Sequence, residues 1–371
     1  MTVLVVGAGI AGLGLAIALA RDGVSCEVVE IDGRAEGASI GLTNRAVDVL
    51  AELGVLDECV SAGDALSGSV FERMYDAAGR PLPVPPIPAR VDGDLPGAVV
   101  IDRPSLSRIL LSRAREHGAI VRNGLTVSAL EQRDDRVDVR FSDGSAGSYR
   151  LVVGADGIRS RVRELVYGDS VRPDYTGLMS LRCVLPDPPE GAAGFYHGPD
   201  ATTVIVARKP GGPAYVTTGR RLPGERLGQA RARELLRENL GRFTAPYLAA
   251  IRDRVTEDVP VIVRPFEWLL VPPPWHRGRV VVIGDAAHAT TAHLSSGGGM
   301  ALEDGAVLAQ ELTRHPDVAE ALDAFGRRRG DRVRMVVETS VELLRMEQRG
   351  VRPRDTGRVR AAAMSVLAQP Y

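Results

Sequence analysis

Residues 2–12 read Thr2-Val3-Leu4-Val5-Val6-Gly7-Ala8-Gly9-Ile10-Ala11-Gly12, a β-branched apolar run that breaks into glycines. The run reads as a buried parallel strand. An Ala- and Leu-rich segment follows, predicting a helix over Ile10–Arg21 that Gly23 stops. Ser25–Glu30 then reads as a second strand. Strand, glycine turn, helix and strand make a βαβ unit, the context in which G-x-G-x-x-G carries meaning. Gly7 permits the tight turn, Gly9 lets backbone approach a pyrophosphate, and Gly12 lets helix and strand pack closely. The helix start around Ile10 and Ala11 presents unpaired N–H groups and the positive end of its dipole to phosphate. Glu30, which ends the second strand, can accept hydrogen bonds from both ribose hydroxyls of an adenosine and would repel a 2′-phosphate. These features together predict a dinucleotide site.

The remaining composition narrows the class. With 371 residues the chain is long enough for two folding units or one large compound domain. A net charge of -1 gives no broad attraction to nucleic acid or to an anionic membrane, so neither partner is expected. The three cysteines, Cys26, Cys59 and Cys183, lack metal-site or disulfide spacing, which predicts no metal and fits a cytoplasmic setting. Lys209 is the only lysine, so a lysine-centred mechanism is excluded elsewhere. No apolar run approaches the ~18 residues of a membrane span.

Further along, Asn44–Leu53 reads as a helix. Six prolines between 81 and 96 mark an exposed excursion. Val99–Ile101 reads as a strand, followed by a helix from Pro104 to His117. Val137–Phe141 and Tyr149–Val153 flank Ser142-Asp143-Gly144 in the manner of a hairpin. From about residue 173 to 270, segments such as Leu178–Leu185, Thr203–Ala207 and Ala214–Thr218 predict a mostly antiparallel sheet, with a helix over Gln229–Leu240. Arg279–Ile283 is again a buried-type strand, and helices fill most of 300–350. The tail beyond Val351 is Arg-rich, and its apolar end either packs or frays.

Two further turns resemble the first. Leu151-Val152-Val153 runs into Gly154-Ala155-Asp156-Gly157, with Ser160 before a helix. Val280-Val281-Val282-Ile283 runs into Gly284-Asp285-Ala286-Ala287-His288, with Gly297-Gly298-Gly299 opening the next helix. With the N-terminal fingerprint, these motifs make the chain similar to the FAD-dependent monooxygenases of the para-hydroxybenzoate hydroxylase type, over roughly residues 1–330. The resemblance implies a Rossmann-type α/β FAD-binding domain with a parallel sheet, a mostly antiparallel β-sheet substrate domain and C-terminal helices. The expected boundaries are 1–70, 97–172 and 271–325 for the discontinuous FAD-binding domain, 71–96 and 173–270 for the substrate domain, and 326–371 for the helical segment. It also implies that Asp285 binds the ribityl chain and that Asp156 serves both FAD and NAD(P)H. Arg103 is expected against FAD, and Arg45 beside the isoalloxazine. The helix start at Gly297, Gly298 and Met300 is expected near flavin N1 and C2=O, where its dipole would stabilise the charge of reduction.

The implied activity consumes NADH or NADPH as a transient co-substrate. One oxygen of O₂ passes through a flavin C4a-hydroperoxide to an aromatic or other electron-rich small molecule. The family usually has proline where this chain has Ala292, followed by His293. His293 is a candidate proton relay, and Arg182 and Tyr215, with Tyr196 and His197, are candidates for orienting an anionic aromatic substrate. His288 is expected to be structural, Cys183 to be core, and Arg327–Arg329 and Arg332–Arg334 to form a solvated helix face. Epoxidation, Baeyer–Villiger insertion, oxidative decarboxylation and a non-catalytic flavin-binding role stay open, as does a homodimer. Halogenation is disfavoured, because Trp268 and Trp275 do not form that motif and Lys209 lies elsewhere.

Overall fold

The computed structural model describes residues 2–33, 39–83, 94–199, 202–208, 211–224 and 226–371. Lys209 and much of the proline-rich excursion, including Pro85, Pro86 and Pro88, lie outside the described residues.

One six-stranded sheet runs in the order His276–Arg277, Val280–Val282, Leu151–Gly154, Thr2–Val6, Ser25–Glu30 and Ile120–Asn123. All its neighbours are parallel except the first pair. Its central runs, Val3–Val6, Leu151–Val153 and Val280–Val282, are buried throughout. That is what continuous apolar strands covered on both faces require. Val6 pairs with Gly154, and Gly154 with Val282, so the three glycine turns leave the sheet side by side. The helices Ile10–Arg21 and Gly297–Arg314 pack on each other, and Ile10–Arg21 also packs on the strands Thr2–Val6 and Ser25–Glu30.

The second six-stranded sheet runs Ile262–Trp268, Asp174–Leu185, Ala214–Arg221, Thr203–Arg208, Gly194–His197 and Met74–Tyr75, antiparallel except for its last pair. Its strands alternate. Leu181, Cys183, Tyr196, Val204, Val206 and Val216 are buried in a second core that includes Leu235 and Leu248 from the helices Gln229–Leu240 and Pro246–Arg254. Residues between them turn to the opposite face.

Two expectations need correction. The hairpin partner of Val137–Phe141 is Ala146–Tyr149, not Tyr149–Val153. Leu151 instead pairs with Val3 in the parallel sheet, because an unbroken apolar run is better buried on two faces than on one. The arginines of the C-terminal helix Val318–Gln348 are not a uniformly solvated face: Arg329 is 0% exposed and Arg332 is buried. Arg329 bonds Glu303 at 2.6 Å and Asp304 at 2.8 Å, and Arg332 bonds Glu303 at 2.9 Å. The tail packs rather than frays. It forms a helix over Pro353–Leu367, whose Ala363, Met364 and Leu367 join the first core.

Asp304 receives the Gly284 N–H at 2.9 Å and His288 Nε2 at 2.5 Å in addition to Arg329. Burial alone would raise its carboxyl, but His288 and Arg329 outweigh that effect and hold it down to about 2. The unfolded value is about 4. Asp304 therefore contributes stability above that pH and loses it as pH falls towards its folded value. Asp304→Asn should flatten the acid limb of a stability–pH curve. Arg329→Met, which strands two buried carboxylates, should cost about 3–5 kcal/mol in urea unfolding at neutral pH.

Candidate active site

Between the two sheets lies one continuous cavity of about 700 Å³. At one end it is lined by Ala8, Gly9, Ile10, Ala11 and Glu30, in the middle by Ala155, Gly157, Arg103 and Asp285, and on by Gly297 and Gly298. At the other end it is roofed by the antiparallel sheet. A single void touching all three turns suits one extended ligand.

The glycines do what their positions require. Gly7 has φ +106°, and a Cβ there would lie 2.4 Å from the Ala155 carbonyl oxygen. A Cβ at Gly12 would lie 2.0 Å from the Gly7 carbonyl oxygen, while Gly9 is open except for Ala155 at 4.0 Å. Gly9 therefore leaves room for an approaching pyrophosphate. The helices that begin at Ile10 and Gly297 carry no side-chain cap, so first-turn N–H groups remain available at both ends of the cavity.

Glu30 takes the Ala8 N–H at 2.7 Å and the Asp32 N–H at 2.9 Å. These bonds fix its carboxylate at the cavity wall and leave lone pairs that could accept ribose hydroxyls. Asp285 is exposed and lines the cavity, with protein atoms packed closely around it. That surrounding raises its carboxyl above the usual range, while Arg103 and His288 partly oppose the shift. A carboxylate there could hold polyol hydroxyls, as a ribityl chain demands. Two uncapped helix starts, a ribose-facing acid and a polyol-facing acid along one void fit FAD.

Several expected site residues lie elsewhere. Asp156 does not line the cavity. It takes Ser160 Oγ at 2.5 Å and the N–H groups of Arg161 and Val162 at 2.7 and 3.0 Å, holding the start of the helix Arg161–Tyr167. Arg45 turns to the C-terminus, donating to the Ala368 carbonyl at 2.8 Å and to Asp48 at 3.3 Å. Met300 lies one turn inside its helix, with its sulfur 3.4 Å from Arg329. His293 is not among the lining residues, with Nδ1 2.9 Å from Thr291 Oγ1 and Nε2 3.5 Å from Glu347. Tyr215 shares the strand face of Thr217 but does not reach the lining, and Tyr196 is buried with its hydroxyl donating to Ala192. His288 is structural through Asp304, and Cys183 is core.

Arg182 does line the cavity. Its Nε donates to Ser180 Oγ at 2.7 Å, and no carboxylate pairs with it among the described residues. Burial, then the like charges of Arg103 and Arg264, lower it to about 10. The sequence reading missed Arg264, Phe266, Phe195 and Thr217, all of which line the same end. Strand alternation was the available signal: Arg264 and Phe266 are two apart, and Phe195 and Thr217 alternate with the buried Tyr196 and Val216.

A Rossmann-type sheet whose three turns line a flavin-sized cavity, roofed by an antiparallel sheet, defines a FAD-dependent monooxygenase. The chain matches the FAD binding domain family over residues 1–340 and belongs to it. It is 33% identical over 328 residues to 3-amino-4-hydroxybenzoate 2-monooxygenase of Streptomyces cremeus, covering 84% of this chain and 78% of that one. It is 30% identical over 355 residues to a FAD-dependent urate hydroxylase of Klebsiella pneumoniae, covering 91% and 88%. The structure of Klebsiella pneumoniae HpxO complexed with FAD and uric acid superposes with a TM-score of 0.76 at 25% identity, covering 100% of this chain and 93% of that one. Among the described residues no helix is long and apolar enough to cross a membrane, and no cluster could hold a metal ion.

Gly7→Ala places a methyl group against the Ala155 carbonyl and should disrupt the first turn. The flavin-to-protein absorbance ratio of the purified variant is expected to fall well below that of the wild type.

Proposed function

We propose that the chain hydroxylates a small, electron-rich ring compound that carries a negative charge, using NADH or NADPH as a transient reductant. The observation that carries this reading is Arg182, a half-buried guanidinium on the cavity wall that no described carboxylate neutralises. A desolvated charge without a counter-ion is costly, and an anionic ligand would remove that cost. Arg264, on the neighbouring strand opposite Ser180, strengthens the same positive field.

The overall balance is one O₂ and one NAD(P)H with a proton, giving the hydroxylated product, water and NAD(P)⁺. Bound FAD supplies the redox chemistry that links NAD(P)H to O₂. The chain's own residues do the rest. Phe195, Ile205 and Phe266 give the roof an apolar surface against which a ring can lie. The guanidiniums of Arg182 and Arg264 orient the charged group. They also favour ionisation of a phenol, the more electron-rich form. No imidazole lines the cavity among the described residues, so this field, rather than His293, sets the protonation of the ring. Glu30, Asp285 and the helix start at Gly297 would position the cofactor.

The test is to purify the protein, measure its visible flavin absorbance, and follow NAD(P)H oxidation with hydroxybenzoates and with their neutral amides. Acids should stimulate oxidation and gain one oxygen, with the amides far poorer. Arg182→Gln should raise KM for the acids roughly 10- to 100-fold, the loss of a charge-assisted bond, with flavin content unchanged. Equal rates with acids and amides would sink the anionic-substrate reading. A protein that takes up no FAD would sink the flavin reading.

A further inference from the structure

Residues 290–292 and 295–298 form one wall of the cavity. The segment includes Ser295, one of two non-glycine residues with positive φ among the described residues, at φ 47°. Such a backbone persists only where its surroundings over-determine it. His293 sits between the two lining stretches and is held from outside. Its Nδ1 is 2.9 Å from Thr291 Oγ1, and its Nε2 is 3.5 Å from Glu347 on the helix Val318–Gln348. Its ring centroid is 5.9 Å from that of Phe266.

Arg360, on the helix Pro353–Leu367, completes the arrangement. It donates to the His293 carbonyl at 3.3 Å, approaches Glu347 at 3.7 Å, and lies 4.7 Å over the Phe71 ring. Arg360 is 4% exposed. His197, on the roof sheet, also faces this group: its imidazole feels both Glu347 and Arg360, and its Nε2 is buried with no hydrogen-bond partner among the described residues. Burial would raise the Glu347 carboxyl, but the His293 bond and the charges of His293, Arg360 and His197 hold it below the usual range. Two helices remote from the cavity thus grip the segment by both backbone and side chain.

We propose that Glu347 and Arg360 are positioning residues that act through His293 to hold the 290–298 wall in the shape the ring end of the flavin needs. The proposal rests on the reading of the cavity as the FAD site. It also explains why His293 can be so well anchored yet not reach the cavity.

A restraint of this kind can be replaced by another. Thr291 has φ -71° and ψ 158°, the conformation favoured before proline, and Ala292 is the first residue of the 3-10 turn Ala292–Leu294. The Ala292 N–H makes no backbone hydrogen bond among the described residues. Proline fits such a position and stiffens it without using the clamp.

The test compares wild type, Glu347→Gln, His293→Gln, the double variant, and Glu347→Gln with Ala292→Pro. The readouts are FAD dissociation by fluorescence, the visible spectrum of bound flavin, and the melting temperature of flavin-free protein. Glu347→Gln should weaken FAD binding about tenfold, the scale of one coupled contact, and shift the flavin spectrum. The double variant should lose little beyond either single one. Ala292→Pro should restore affinity and spectrum in the Glu347→Gln background. Unchanged FAD affinity and spectrum in Glu347→Gln would overturn the proposal. So would lost affinity that tracks a lower melting temperature and that Ala292→Pro leaves unrepaired. If Glu347→Gln does not fold, His293→Gln, with and without Ala292→Pro, decides between the same two outcomes. Failure of wild type to bind FAD would instead defeat the underlying flavin reading.

Discussion

A single buried carboxylate, Asp304, joins parts of the chain that the cavity needs in register. It accepts from the backbone of the third turn at Gly284, from His288 in the short helix after that turn, and from Arg329 in the long C-terminal helix. The turn that carries Asp285 is therefore held from behind by charge. Buried ion pairs are a poor source of net stability. Their value here is geometric, because a fully bonded carboxylate tolerates only one arrangement of its partners. The C-terminal helices serve as part of the site's scaffold through Arg329 and Arg332.

Charged side chains line the cavity along its length. Carboxylates Glu30 and Asp285 stand where hydroxyl-rich parts of a dinucleotide would lie, and uncapped helix starts stand at both glycine-rich turns. Under the roof the lining carries Arg182 and Arg264, with Glu267 on the same strand as Arg264, over an apolar surface. One end of the void thus suits a cofactor with phosphates and polyols, and the other is the end at which a small-molecule substrate is proposed to lie. Arg103 stands between them, close enough to influence both Asp285 and Arg182.

Much of this was legible in the chain. The three strand–glycine motifs identified the parallel sheet and the cofactor end, since backbone-driven features such as tight turns demand particular residues at particular spacings. Glu30 and Asp285 line the cavity, and Gly7 and Gly12 lie where a side chain would collide with neighbouring backbone. The substrate end was less legible. Arg264, Phe266, Phe195 and Thr217 are brought together by strand pairing between distant segments; alternation puts each on one face of its strand but does not say that this face meets the cavity. Asp156, Arg45 and His293 were expected at the cofactor or substrate and do not line the cavity, for a related reason. Each belongs to a segment beside the cavity, but a side chain can turn either way, and each found a better partner outside it: Ser160 and two N–H groups, Ala368, and Glu347.

By itself the sequence determined the class of fold, the dinucleotide fingerprint and the order of the three turns. These follow from steric and hydrogen-bonding rules that act within a few residues. Tertiary structure alone decided which charges are buried and which face the ligand. Arg329 and Arg182 are chemically identical, yet one is sealed among carboxylates and the other stands on a cavity wall with no ion-pair partner among the described residues. That difference is set by neighbours on other helices or across a sheet, and the cost of desolvating a charge depends on those neighbours rather than on the residue itself.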